Sequence, residues 1–329
     1  MRTRFFVLMA LSLALFCADV VWGSISIPMR EVWHVLTGEG ADPVYREILW
    51  NHRLPKALTA VLIGASLSVA GLMMQTLFRN PLAGPDVLGV TSGAGLGVAL
   101  LTLGGASLPW FVLVGWGQVA AATIGAVLVL LLVVLASVKV PQTVTLLIIG
   151  MMFGHFAGAI VSILQSSSNP DTLKLFITWT FGSLSAVGWD YLVVLFPTMV
   201  LGACIAFALQ KRLNALLLGE NYAAGLGVSV FRTRLWVILA TALLAGTSTA
   251  FTGPIAFIGV TIPHVARGFF RTANHAVLLP ASWLCGAAVM LACDLVSQLP
   301  GTQGTLPINS ITALFGAPLV VWTLLKMKN

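Results

Sequence analysis

The stretch 112–138 reads VLVGWGQVAAATIGAVLVLLLVVLASV and contains no charged residue. Inside a bilayer the backbone must satisfy its own hydrogen bonds, so a run of about 20 apolar residues is stable there as a helix. This run is longer and more apolar than the core of a soluble domain needs. The stretch therefore predicts a helix that crosses a membrane.

Nine further apolar stretches have the same character. The chain of 329 residues is 58% hydrophobic and 8% charged, whereas soluble chains carry about 25% charged residues. This composition excludes a soluble enzyme, and the singly scattered basic residues exclude a nucleic-acid-binding protein. We predict an all-α integral membrane protein in contact with lipid, with about ten transmembrane helices near residues 5–21, 57–74, 87–103, 112–138, 144–164, 191–209, 235–251, 255–265, 276–295 and 311–325.

The positions of Lys and Arg predict the orientation of these helices, because cytoplasmic loops carry an excess of both. With a cytoplasmic N-terminus, most of the 17 basic residues lie inside, and an even number of helices places both termini in the cytoplasm. Arg2 and Arg4 also allow a cleaved secretory signal, although the nine later stretches favour an uncleaved first helix. The basic residues on the outer side are Arg30, Arg46, Arg53, Lys56 and Lys174.

A weak internal similarity links two of the stretches. Gly64 and Gly71 have the same spacing as Gly246 and Gly253, and the two helices cross in opposite directions. This is the pattern of an inverted five-plus-five repeat, with chance spacing among glycines as the alternative. Segments broken by Pro and Gly follow both, which indicates either a transport pathway or tight turns. No linker divides the chain, so we expect one membrane domain, residues 1–329.

The sequence holds no motif for chemistry of its own. It has no Gly-x4-Gly-Lys-Ser/Thr phosphate-binding motif and no HExxH metal motif, so we predict no catalytic residue and no metal site. Ion-coupled carriers place acids inside the helix bundle, whereas Asp19, Asp190 and Asp294 lie near predicted outer helix ends. We expect an energy source other than an ion gradient, with an ion-coupled secondary transporter as the alternative.

The inner connection 211–234 is the longest predicted on the cytoplasmic side. It contains helical pieces at 213–218 and 221–226, separated by Gly219 and ended by Gly227. Leu and Ala residues in an exposed loop favour a partner surface. We predict that this segment enters a groove on a peripheral subunit and transmits its motion, with an ordinary solvated loop as the alternative.

Two smaller patterns leave alternatives open. Arg53 and Lys56 precede the second stretch on the outer side, where they either contact an acidic partner or extend to the lipid interface. Gly150, Gly154 and Gly158 form a ridge on the fifth stretch, which is typical of a packing face and less often lines a pathway. His155 beside this ridge has no second residue to complete a metal or haem site.

Five stretches together resemble the FecCD family of ABC-importer permeases, which move iron-siderophores, haem or cobalamin. The resemblance covers nearly the whole chain. The matching stretches are HRLPKAL from His52, GASLSVAGLMMQTLFRNPLAGPDVLGVTSGAG from Gly64, LLLGENYAAGLGV from Leu216, GPIAFIGVTIPHVAR from Gly253 and LPINSITALFGAPLVVWTLLK from Leu306.

The resemblance implies partners in a bacterial inner membrane: a second copy of this chain, two cytoplasmic ABC ATPase subunits that use ATP and Mg, and a periplasmic substrate-binding protein. This chain itself binds no cofactor. Arg53 and Lys56 match the family's basic pair for docking the binding protein, although Gln298 replaces a further basic residue and Thr305 an acid. The stretch that matches the coupling element contains Leu218, Gly219, Glu220, Ala223, Ala224, Gly225, Leu226 and Gly227.

Thr143 falls at the family's inner gate, and the pathway-lining role of the fifth helix favours a pathway role for Gly150, Gly154 and His155. The resemblance thus predicts the permease of a binding-protein-dependent importer for a metal chelate, in the order ferric siderophore, haem, cobalamin. The alternatives are the ion-coupled secondary transporter and a non-transporting membrane scaffold.

Overall fold

The computed structural model describes residues 1–23, 25, 27–38, 42–104, 109–140, 142–298 and 305–327, which form helices, turns and loops without a strand. A π-helical turn leads directly into the fourth helix, and a 3-10 turn precedes the fifth. The helices of the first half are α1 (Arg2–Val21), α2 (Met29–Thr37), α3 (Pro43–Glu47), α4 (Leu54–Phe78), α5 (Val90–Leu103), α6 (Trp110–Leu113), α7 (Trp116–Lys139), α8 (Thr143–Ser166) and α9 (Pro170–Thr180).

The second half begins at Trp189. A π-helical turn, Ala242–Gly246, joins two of its helices into one continuous rod. Its helices are α10 (Trp189–Ala208), α11 (Gln210–Leu217), α12 (Glu220–Gly225), α13 (Val230–Thr241), α14 (Thr247–Thr252), α15 (Ile258–Phe270), α16 (His275–Ser297) and α17 (Ile308–Met327).

The all-α membrane fold predicted from the sequence is confirmed. Among the described residues, seven apolar helical stretches are long enough to cross a bilayer, and Val90–Leu103 and Ile308–Val321 are shorter apolar helices. The predicted eighth segment corresponds to α15, which has 13 residues. The seven long stretches are Arg2–Val21, Pro43–Phe78, Trp116–Lys139, Thr143–Ser166, Trp189–Ala208, Val230–Thr252 and His275–Ser297.

The centre of the bundle is α4, because its residues are apolar or small on every face. Nearly all of its side chains are buried, and it packs against α16, α15, α10 and α13. Its backbone meets α16 at Gly64 and Gly286, and α15 at Gly71 and Gly259, where an added Cβ would overlap backbone atoms. Close approach of this kind supplies the dispersion contacts that hold helices together in lipid. Gly64 and Gly71 are therefore packing positions.

The interruptions predicted after the two glycine-bearing helices are present. The chain leaves the helical conformation after α4 and again after α14. Nε2 of His264 lies 2.8 Å from the carbonyl oxygen of Pro81 in the first interruption. In the second, Oδ1 of Asn309 accepts the N–H of Ala256 at 3.1 Å. Irregular backbone at membrane depth requires such internal partners.

One long helix, α8, is exposed along much of its length. It packs against α5 and α7, and few of its side chains are buried. Its exposed large residues recur at intervals of about four and so share one helical face. We name this face the α8 stripe; its members are 50–67% exposed, and they are Val144, Ile148, Met152, Phe156 and Ile163. Lipid or another protein surface must cover it.

Candidate functional site

The predicted coupling segment consists of α11 and α12, beside the C-terminal end of α4. Gly219 separates the two helices with φ 121° and ψ 147°, a conformation essentially restricted to glycine. The guanidinium of Arg79, just beyond α4, lies close to Gly219. The sequence-based prediction of two short helices around Gly219 is confirmed.

This segment presents apolar side chains to its surroundings. Tyr222 is 58% exposed, whereas Ala223 is fully buried against the bundle. A groove of about 1030 Å³ runs between α12, the start of α8 and the end of α4. Exposed apolar residues beside such a groove are typical of a protein contact. Tyr222 was not in the predicted set, whose exposed members are Leu218, Ala224, Gly225, Leu226 and Gly227.

Glu220 connects the coupling segment to two other helices. Its Oε1 accepts a hydrogen bond from the hydroxyl of Thr143, the first residue of α8. The same oxygen lies 3.7 Å from Nη2 of Arg234 in α13. Nη1 of Arg234 donates to the carbonyl oxygen of Val140 at 3.2 Å. The structure thus brings together Glu220 and Thr143, which the sequence predicted separately, and adds Arg234, which it did not predict.

A second polar network fixes the other end of the coupling segment. Oδ1 of Asn214 in α11 lies 2.8 Å from Nδ1 of His275 and accepts its backbone N–H, also at 2.8 Å. Nε2 of His275, at the start of α16, lies 2.8 Å from the hydroxyl oxygen of Thr76 in α4. Because α4 and α16 form the packed centre, α11 is attached to the rigid part of the bundle. This network was not predicted, because its signal in the sequence is no more than three polar residues near helix ends.

The predicted pathway residues of α8 do not share a surface. Gly150 packs against the backbone of Val87 and Leu88, and Gly154 against Ser92. His155 is exposed, because successive helix residues are about 100° apart around the axis. The two glycines therefore serve as packing positions, and His155 alone of the three faces away from the chain.

On the opposite side of the bundle, Arg53 and Lys56 are each 5% exposed. Nζ of Lys56 lies 2.7 Å from Oδ2 of Asp294 and 3.8 Å from Oδ1 of Asp19. Nε2 of Gln298 donates to both carboxylates, at 2.8 Å to Asp294 and 3.1 Å to Asp19. The alternative in which Lys56 extends to the lipid interface is wrong, because α1 and α16 supply acidic partners for it within the chain.

Arg53 has partners within the chain as well. Its guanidinium donates to the carbonyl oxygens of Val20, Val21 and Ile25. These carbonyls lie at the end of α1 and just beyond it, where backbone acceptors lack helical partners. Arg53 thus caps α1. A cavity of about 350 Å³ reaches Arg53, Lys56 and Gln298 from the surface.

Of the three acids predicted near outer helix ends, Asp19 and Asp294 are buried, whereas Asp190 is exposed. Asp19 is 0% and Asp294 4% exposed, so both acids lie inside the bundle, near the helix ends where they were predicted. Their pairing with Lys56 explains the burial, since an isolated charge there would lose its hydration without compensation. We name Asp19, Lys56, Asp294 and Gln298 the outer charge cluster.

Comparisons with known proteins place these features in context. A model of the FecCD transport family matches residues 10–326. The vitamin B12 import system permease protein BtuC of Klebsiella pneumoniae is 34% identical over 93% of this chain and 90% of its own. The hemin transport system permease protein HmuU of Yersinia pestis is 34% identical over 99% of this chain and 95% of its own.

A solved structure is similar over the same extent. It is an inward-facing conformation of a transporter assigned to the metal-chelate type of ABC transporters, and its TM-score is 0.86. It is 33% identical to this chain, with 99% of this chain and 100% of the other covered.

Proposed function

Because the chain belongs to the FecCD transport family, we propose that it is the membrane subunit of a binding-protein-dependent importer for a metal chelate. The chain is a multi-pass ABC permease and not an enzyme by itself. The observation that supports this role best is the coupling segment, which presents Leu218, Tyr222 and Leu226 beside an open groove. Such a surface is suited to binding a partner subunit that supplies the energy for transport.

Two cytoplasmic ATPase subunits are the proposed partners at this surface. They bind and hydrolyse ATP with Mg, since the sequence lacks a phosphate-binding motif of its own. The segment 211–234 passes their motion to the membrane helices. This arrangement requires the orientation predicted from the basic residues, with both termini in the cytoplasm of a bacterium and the protein in the inner membrane.

A second copy of the chain is the proposed partner of the α8 stripe. With Gly150 and Gly154 turned inward, the stripe and His155 would face the second copy across a central pathway. A pathway with apolar walls forms few specific bonds to cargo. We therefore assign recognition of the cargo to the binding protein, and we rank ferric siderophore, haem and cobalamin in that order.

Docking of the periplasmic binding protein is proposed at Arg53 and Lys56. Because both side chains have partners within the chain, docking requires acidic residues of the binding protein to replace those partners. The cavity over Arg53, Lys56 and Gln298 gives such residues access. Charge reversal at Arg53 and Lys56 should weaken the complex most at low salt, and an unchanged affinity would remove both residues from the interface.

The decisive experiment is uptake by the complex reconstituted in liposomes with ATP inside and a protonophore present. We expect ATP-dependent accumulation of the chelate, delivered by its binding protein, to persist when the proton gradient collapses. Loss of uptake with the protonophore would instead support the ion-coupled secondary transporter. Uptake by the chain without ATPase subunits would contradict the importer directly.

A further inference from the structure

We propose that Arg234 is a positioning residue that joins the coupling helix α12 to the start of α8, so that a displacement of α12 moves the inner end of α8. This inference rests on the proposed function and adds to it the connection between the driven surface and the pathway helix. It concerns three parts of the chain that are separate in sequence: α12, the pair formed by Val140 after α7 and Thr143 at the start of α8, and α13.

The contacts of Arg234 reach all of these elements. Its side chain is 3% exposed, whereas that of Glu220 is 35% exposed. Arg234 donates to the carbonyl oxygen of Val140 at 3.2 Å and to Oγ1 of Thr143 at 3.5 Å, and it lies 3.7 Å from Oε1 of Glu220. The hydroxyl of Thr143 donates to that same carboxylate oxygen. One guanidinium therefore holds Val140, Thr143 and the first turn of α12 in a fixed relation.

The chemistry of this group suits a mechanical connection. A guanidinium is planar, stays charged and offers several N–H donors in a rigid fork. It can therefore hold a carbonyl and a carboxylate at the same time, which the single ammonium of Lys does with less defined geometry. Because Arg234 is buried, its contacts with Glu220 and Val140 are weakly screened by solvent.

The two ends of the coupling segment are attached differently. Asn214 in α11 is bound to His275 in the packed centre, while Glu220 in α12 is bound to α8. The packed centre is stiff because helix backbones touch there, whereas α8 is exposed along one face. A force applied at α12 therefore displaces α8 more readily than it displaces α4 or α16.

The test measures ATP hydrolysed per cargo molecule imported, in the complete complex reconstituted in liposomes. We expect Arg234→Met and Thr143→Val to raise this ratio about tenfold, which corresponds to ~1.4 kcal/mol of coupling. Thr143→Ser keeps the hydroxyl and should restore the wild-type ratio. Lys139→Met removes an exposed positive charge close to Val140 and should leave the ratio unchanged.

A distance measurement separates positioning from a general loss of stability. Spin labels at Asn221→Cys and Ile148→Cys, with Cys17→Ser and Cys204→Ser, report the separation of α12 from α8. The distance distribution should be narrow in the wild type and with Thr143→Ser, and broad with Thr143→Val. If Arg234→Met and Thr143→Val keep the wild-type ratio of ATP to cargo and the wild-type distance distribution, the inference about Arg234 is wrong, while the proposed function is unaffected. Failure of the wild-type complex to import cargo with ATP would instead overturn the proposed function.

Discussion

Replacement of Lys56 by Met should destabilise the protein by about 3–5 kcal/mol, because it leaves buried carboxylates without their positive partner. The separation of 2.7 Å to Asp294 corresponds to a gross attraction of about 6 kcal/mol at an effective dielectric constant of about 20, and Asp19 lies 3.8 Å from the same ammonium. Desolvation of the buried ion pair offsets much of that attraction. Loss of the Lys56 ammonium remains costly, since Asp19 and Asp294 then face each other within the bundle without a positive partner.

The assay is equilibrium unfolding of the purified protein in mixed micelles with increasing denaturing detergent. Lys56→Met should lower the free energy of unfolding, and Lys56→Met combined with Asp294→Asn should recover part of the loss because one buried charge is removed. Arg46→Met is the matched control, since Arg46 is exposed and its replacement should change stability by less than about 0.5 kcal/mol. A loss below about 1 kcal/mol in Lys56→Met would refute the reasoning.

Three further changes test the packing and the backbone. Gly71→Ala should reduce the yield of folded protein because its Cβ overlaps the backbone of Gly259, whereas Gly268→Ala, with open space around it, should be tolerated in the same expression assay. Gly219→Ala places Ala in a strained backbone conformation that costs ~1–3 kcal/mol. If the complex requires this conformation, binding of the ATPase subunits should weaken by roughly 5- to 150-fold. Unchanged affinity in a pull-down titration would contradict this. Asn309→Leu removes the acceptor for the N–H of Ala256 and should cost about 1–3 kcal/mol in the micelle assay, and an unaltered unfolding curve would show that another acceptor replaces it.

The helices could be predicted from local sequence, whereas most of the side-chain partners could not. The stretch 112–138 forms α7 from Trp116 onward, and its counterparts form helices as well, because the requirement for internal hydrogen bonds in lipid acts on each segment separately. The two short helices around Gly219 followed for a similar reason, since glycine sets their boundary. Features of this kind depend on residues within one or two helical turns, and hydropathy reports them directly.

The outer charge cluster illustrates what remained hidden. Asp19 and Asp294 lie on helices at opposite ends of the chain, and only the packing of α1 and α16 around α4 brings them to Lys56. Hydropathy places each residue near a helix end, but it does not report the rotation of the helix about its axis. The same limitation affected Gly150. Its predicted pathway role required it to face away from the chain, whereas the rotation of α8 turns it toward Val87.

The position of the outer charge cluster bears on the source of energy. An ion-coupled carrier needs a titratable group that is exposed to each side of the membrane in turn. The carboxylates of Asp19 and Asp294 lie instead where α1, α4 and α16 are packed together, and both are bound by Lys56 and Gln298. Exposing them to the other side would require these helices to separate, which the Gly64 and Gly286 contact resists. The cluster is therefore suited to holding three helix ends together rather than to relaying ions, which favours the proposed importer over the ion-coupled secondary transporter.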